Sequence, residues 1–130
     1  MHALIIEDEA LISLAIEEAL RDSGFTSFDI AASEQEAVSS AARKCPDLIT
    51  ADVELRPGCG ITAVQSICSE QPIPVIFITG SPSEVMARMP RHPLIQKPFS
   101  ADHVMAAIKT ALASRGLSAV SRGRSRDKGR

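Results

Sequence analysis

Two rhythms of apolar residues alternate along this chain. The first is a set of short, nearly continuous apolar runs: Ala3-Leu4-Ile5-Ile6, a weaker one over 26–31, a third over 47–54 carried by Leu48, Ile49, Ala51 and Val53, a strong one over 73–79, and the brief Leu94-Ile95-Gln96. Runs of this length bounded by turn residues predict strands, and the third and fourth, apolar on consecutive positions, predict strands covered on both faces. The second rhythm is helical spacing between the runs. Leu11, Ile12, Ala15, Ile16, Ala19 and Leu20 repeat this way until Gly24, and Ala37, Val38, Ala41 and Ala42 follow the capping-box pair Ser33 and Glu36. Ile61, Val64, Ile67 and Cys68 mark a third helix, and Val104, Ile108, Ala111 and Leu112 a last one capped by Ser100. Between the fourth and fifth runs, Ser81-Pro82-Ser83-Glu84 opens a helix with a serine cap and a proline at the first helical position. Pro90 and Pro93 hold that helix to about two turns.

The order is strand then helix, five times. It predicts an α/β, doubly wound (βα)5 flavodoxin-like fold with a parallel five-stranded sheet in the order 2-1-3-4-5, since right-handed crossovers and this length leave few other arrangements. Ligands of such sheets bind at the carboxyl ends of the strands. Glu7 and Asp8, Asp52, Thr79 and Lys97 each follow or close a different strand, so the topology gathers them at one edge. Asp52 stands at the centre, at the end of the third run.

Composition narrows the class. With 130 residues, 45% hydrophobic and 23% charged, the chain is one ordinary globular domain. It has no cationic leader before an apolar stretch and no apolar run of bilayer length, which predicts a soluble, cytoplasmic protein without a membrane partner. Cys45, Cys59 and Cys68 are odd in number and lack a C-x-x-C pair, so reduced thiols are expected, with Cys45 and Cys68 in the core and Cys59 in a loop. His2, His92 and His103 have no partner at metal or nucleophile spacing and are expected at the surface or flanking strands. Six of the 14 Lys and Arg and one of the 16 Asp and Glu lie in residues 114–130, so a body of net charge −7 carries a tail of +5. The tail has no apolar periodicity, and the predicted division is a folded domain over 1–114 and a basic, disordered segment over 115–130. Without aromatic residues to stack on bases, the tail does not make nucleic acid an expected partner.

The gathered residues suggest a chemistry. Carboxylates about 5 Å apart repel by roughly 3 kcal/mol per pair at an effective dielectric of 20, so such a cluster calls for a cation. An all-oxygen site with few protein ligands suits magnesium. Lys97 adds a fixed positive charge and Thr79 a hydroxyl donor, which together fit a dianionic group on or near Asp52. A carboxylate can itself act as nucleophile and carry a phosphoryl group as a mixed anhydride. Glu54, two residues beyond Asp52, is placed to influence attacking water. Ser81 is read as a helix cap, Phe99 as core, and Met86 and Met89 as partner surface.

The set Glu7-Asp8, Asp52, Thr79 and Lys97-Pro98-Phe99 resembles the receiver domain of two-component response regulators over residues 1 to about 114. The resemblance implies a single-domain response regulator and not an enzyme in its own right. Asp52 is then the phosphoacceptor, loaded by a sensor histidine kinase or phosphotransfer protein in a magnesium-dependent step. Asp8, Asp52 and the backbone carbonyl of Glu54 are then the metal ligands, with Glu7 acting through a water, and Thr79 and Lys97 hold the phosphoryl oxygens. It further implies a cis peptide between Lys97 and Pro98, a switched protein-binding surface over residues 80–99 that meets a downstream protein target, and a possible homodimer. Leu94 stands where most such domains carry an aromatic residue. With the Phe77-Ile78-Thr79-Gly80 stretch, it resembles an atypical subgroup with a poorly ordered fourth helix, which makes residues 80–93 the expected mobile output segment. Competing readings are a pseudo-receiver interaction module that takes no phosphate, and a topoisomerase-primase-like magnesium phosphodiester enzyme using Glu7 with Asp52 and Glu54. Thr79 and Lys97-Pro98 have no place in the latter. An aspartyl phosphatase would need an Asp-x-Asp nucleophile on the first strand, which is absent.

Overall fold

The apolar runs become β1 (His2–Ile6), β2 (Ser27–Ala31), β3 (Leu48–Ala51), β4 (Val75–Thr79) and β5 (Leu94–Gln96). The intervening periodic segments become α1 (Ala10–Asp22), α2 (Glu34–Arg43), α3 (Gly60–Ile67), α4 (Pro82–Arg88) and α5 (Ala101–Arg126). The computed structural model describes residues 1–55, 57–69 and 71–126, with side chains through residue 113. All strand pairs are parallel and the order is β2-β1-β3-β4-β5, as the alternation predicts.

Strand side chains alternate between two cores, because successive residues of a strand point to opposite faces. Leu4, Ile6, Ile49, Ala51, Val75 and Phe77 face one side, where Ala37 of α2, Ile61 and Val64 of α3 and Val85 of α4 cover them. Ala3, Ile5, Leu48, Ile76 and Ile78 face the other, under Ile16, Ala19 and Leu20 of α1 and Val104, Ile108 and Ala111 of α5. Each such aliphatic side chain taken fully out of water contributes about 1.5–3 kcal/mol, so the three-layer arrangement follows from burying both faces of the apolar strands.

The register sets the height of the site. Ile6 pairs with Ala51, Ala51 with Phe77 and Phe77 with Leu94, so Glu7 and Asp52 leave the sheet at one level. Thr79 stands one residue further out, paired with Gln96, and Lys97 follows. The hydrogen bonds Glu7 N–H to Ala31 O (2.9 Å), Asp52 N–H to Ile6 O (3.0 Å) and Lys97 N–H to Thr79 O (2.9 Å) continue the ladders past the strand ends. The Lys97–Pro98 peptide is cis, as the resemblance implies.

Several side chains depart from expectation. α1 buries Ser13, Ile16, Ala19 and Leu20, while Leu11 is 82% exposed and Ala15 is also outside, because the pair 11 and 15 forms a stripe one step round from the face over the sheet. α2 likewise buries Ser40 and leaves Ala42 in solvent. Cys45 is exposed instead of core, since Lys44 turns extended (φ −147°, ψ 111°) and the helical spacing stops before it. Cys68 and Cys59 are half-buried. His2 is not at the surface: β1 begins one residue early, and its ring lies 2.7 Å from Ser27 Oγ and 3.1 Å from Asp29 Oδ2, while its N–H donates to Asp47. Met89 packs against the core, leaving Met86 as the exposed methionine of α4. Ser33 caps α2 as predicted, but Glu36 reaches back to the Ala32 N–H, one residue before the cap. The boundary expected at residue 114 falls within the span of α5, and the disorder expected over 115–130 falls where side chains, and at 127–130 the backbone too, lie outside the described residues. Among the described residues no helix is long and apolar enough to cross a membrane.

Two buried groups yield measurable consequences. Thr50, between Ile5 and Ile76 in the sheet, is fully buried and its hydroxyl has no hydrogen-bond partner. Thr50→Val removes that desolvated hydroxyl and is expected to raise unfolding stability by about 1 kcal/mol in urea titrations. His92 packs its ring edge-on against Phe77, with 5.9 Å between ring centroids and its Nδ1 buried without a partner. Burial lowers its pKa below the ordinary value of 6.5, only partly offset by the nearby Met89 backbone. The folded state therefore takes this proton less readily than the unfolded chain. The stability contributed by neutral His92 is complete above 6.5 and is lost as pH falls from there toward the folded-state value. Unfolding titrations at pH 7.5 and 5.5 should show a shallower pH dependence in His92→Phe, which keeps a ring and cannot take a proton.

Candidate functional site

Glu7 and Asp52 are 2% and 6% exposed, which is unusual for carboxylates unless they are paired. The pairing comes from Lys97. Its ammonium lies 2.8 Å from Asp52 Oδ2, 3.1 Å from Glu7 Oε1 and 3.5 Å from Glu9 Oε1. The sheet order brings this about by placing β1 beside β3 and the β5 end across β4, although residues 7, 52 and 97 are distant in sequence. Burial raises the Glu7 pKa, the neighbouring Asp52 charge adds to the rise, and the Lys97 contacts act against it. Burial alone would lower Lys97, but hydrogen bonds and charges from Asp52 and Glu7 outweigh it and leave the ammonium held above its ordinary range.

Glu7, Asp8, Glu9 and Asp52 can bring one oxygen each to within 4.8 Å of one another, around an open cleft lined by Asp8, Glu9, Asp52, Glu54, Gly80 and Lys97. Glu9, not singled out from the sequence, thus belongs to the acidic mouth; an acid following Glu7-Asp8 at the start of a helix was the only signal for it. Glu7 Oε1 is buried, and its neighbour there is the Lys97 ammonium at 3.1 Å. Four carboxylate oxygens gathered this closely, all hard donors, fit a divalent cation of the magnesium class.

The loop after β3 is a miniature hairpin. Glu54 and Cys59 form an antiparallel bridge, with Leu55 N–H to Gly58 O (3.3 Å) and Gly60 N–H to Val53 O (2.9 Å) on either side. The turn needs Gly58, whose φ is +111°. Gly60 has no room for a side chain, because a Cβ there would overlap the Asp52 carbonyl. The Glu54 N–H points to Asp52 Oδ1 at 3.4 Å, and the Glu54 carboxylate accepts from Ser81 Oγ at 3.1 Å. Ser81 therefore does not cap α4 with its side chain, as the sequence suggests; its hydroxyl serves Glu54 instead. Thr79 is fully buried, and its hydroxyl accepts the Ser81 N–H at 3.0 Å, so it stands beside the carboxylate cluster without joining it.

With this geometry in place, the comparisons with known proteins define a class: residues 3–109 match the response regulator receiver domain, and the chain belongs to that family. Within it, the chain is 39% identical over 113 residues to the phyllosphere-induced regulator PhyR of Methylorubrum extorquens, covering 84% of this chain and 42% of that protein. It is 33% identical over 115 residues to the transcriptional regulatory protein PdtaR of Mycobacterium tuberculosis, covering 85% of this chain and 56% of that one. The solution structure of the Erythrobacter litoralis PhyR receiver domain superposes with a TM-score of 0.78 at 36% identity, covering 85% of this chain and 88% of that one. The chain thus spans about half the length of these two regulators.

Lys97 should dominate the local energetics. Lys97→Met leaves two buried carboxylates facing each other without a cation, and a loss of about 3 kcal/mol of unfolding stability is expected at pH 7. The loss should shrink at pH 5, where the carboxyl group with the raised pKa more readily takes a proton; urea titration at both pH values measures it.

Proposed function

We propose that Asp52 accepts a phosphoryl group from a phosphohistidine donor, supplied by a sensor histidine kinase or phosphotransfer protein. The observation that carries this reading is the buried Asp52 carboxylate held 2.8 Å from Lys97 within a ring of further acids. An Asp52 oxygen attacks phosphorus, the O–P bond forms as the P–N bond breaks, and the electron pair returns to the departing imidazole, which takes up a proton. Asp8, Asp52 and the Glu54 carbonyl would hold magnesium, with Glu7 acting through a water. Bound there, the ion would offset the charge on the incoming dianion. Lys97 would transfer its contact from the carboxylate to a phosphoryl oxygen. Thr79, whose hydroxyl accepts the Ser81 N–H, would turn toward the same group and give up that contact.

That exchange frees the start of α4. Residues 80–99 then form the surface that changes on phosphorylation and binds a downstream protein, alone or as a homodimer, with 1–114 as the switching domain and 115–130 as a basic extension. PhyR and PdtaR carry regulator names, which supports a regulatory role for this chain. Glu54 and Ser81, joined across the cleft, stand where water would approach the phosphoryl group.

Incubation with acetyl phosphate and magnesium should add a single hydroxylamine-labile phosphoryl group, seen by mass spectrometry, and Asp52→Asn should abolish it. A wild-type chain that acquires no adduct would point instead to an interaction module that does not take phosphate.

A further inference from the structure

The hairpin after β3 has an outer strand as well as an inner one, and its outer strand is fastened to a helix with no residue in the site. In an antiparallel pair of the kind formed by Glu54 and Cys59, the ladder bonds are made by the flanking residues, and the N–H and C=O of the two paired residues point outward. On the inner side the Glu54 N–H is directed to Asp52 Oδ1, and its carbonyl lies on the same edge. On the outer side the Cys59 N–H meets the carboxylate of Glu34, with Oε1 at 3.1 Å across 25 residues of sequence. Glu34 is the first residue of α2, and its own N–H donates to Pro57 O at 3.4 Å. Its Cβ also closes off the turn: a Cβ built on Gly58 would lie 2.6 Å from it. One residue therefore holds the outer strand and turn of this hairpin by side chain, backbone and contact.

We propose that Glu34 is a positioning residue for the divalent-cation site: by fixing Cys59 and the turn, it sets where the Glu54 carbonyl is presented beside Asp52. The inference rests on the phosphoacceptor reading above. A flexible surface loop pays for ordering its backbone each time it must present a ligand, and a neighbour that holds it in place removes that cost before binding. Groups behind the ligands of a metal site commonly alter affinity by 10- to 100-fold without touching the ion. Glu34 acts here through its acceptor oxygen, so the position of that oxygen matters more than its charge.

The test is Mn2+ binding by electron paramagnetic resonance on the full chain, with the magnesium dependence of acetyl phosphate labelling measured in parallel. Glu34→Gln keeps an acceptor at the same reach and should bind Mn2+ within about twofold of wild type. Glu34→Ala, which removes the acceptor, and Glu34→Asp, which retracts it by one carbon, should each weaken binding about tenfold. Both should label at the wild-type rate once magnesium is saturating, a split that general loss of structure would not produce. If Glu34→Ala fails to fold, Glu34→Asp carries the test. Wild-type affinity in the Ala or Asp variant, or equal weakening in Gln and Ala, overturns the inference. Absence of Asp52-dependent Mn2+ binding in the wild type overturns the site, and this inference with it.

Discussion

One ammonium group holds this end of the sheet together. Glu7 and Asp52 emerge at the same level from neighbouring strands and are both nearly removed from water, so their mutual repulsion is poorly screened. Lys97 reaches both at 3.1 Å or less from a third strand, and a third acid, Glu9, leans in at 3.5 Å. A charge arrangement of this kind is a costly way to stabilise a fold, since well-packed apolar residues would serve as well or better. Its sense lies in exchange. On the phosphoacceptor reading proposed above, the cation bound to Asp52 would be passed to an incoming dianion, and the open acidic cleft would take a second, divalent one.

The same site is tied to the surface along two routes that share the hairpin after β3. Toward α2, Glu34 grips Cys59 and the turn at Gly58. Toward α4, Ser81 donates to Glu54, and Arg88 reaches Glu84, Gln65 of α3 and, more loosely, the Cys59 sulfur at 4.0 Å. Thr79 adds a backbone link to the start of the same helix through the Ser81 N–H. α4 has only seven residues and buries only Val85, so little apolar packing holds it against a change in these polar contacts. Leu94, where a larger side chain would often stand in such domains, is a half-buried part of the core, paired with Phe77. Polar contacts from the hairpin and from Thr79 thus connect the site to α4.

Much of this was legible along the chain. Apolar runs and helical spacings marked all five strand–helix units, since burial on both faces of a parallel sheet leaves a continuous apolar signature that needs no knowledge of neighbours. That Glu7, Asp8, Asp52, Thr79 and Lys97 come to one edge of the sheet was legible because strand ends are local features and the topology of such a sheet allows few alternatives. Cys45, Ser81 and Leu11 depart from the pattern of the sequence for a common reason. Each lies where spacing alone suggests a cap or a buried face, and a backbone turn, a competing acceptor or a rotation of the helix about its axis decided otherwise. Glu34 carried no signal at all, as an acid in the first turn of a helix is ordinary.

What the sequence determined by itself is the order of elements, the two-sided burial of the sheet and the residue types delivered to its carboxyl edge, because periodicity and turn chemistry act over a few residues. What only the tertiary structure decided is which of those charges touch: that Lys97 is shared among Glu7, Glu9 and Asp52, that Ser81 turns to Glu54, and that Glu34 holds the loop beside Asp52. The physical reason is range. Hydrogen bonds and ion pairs are decided within about 3–4 Å, and such distances between residues 25 to 90 positions apart exist only once the strands have been set side by side.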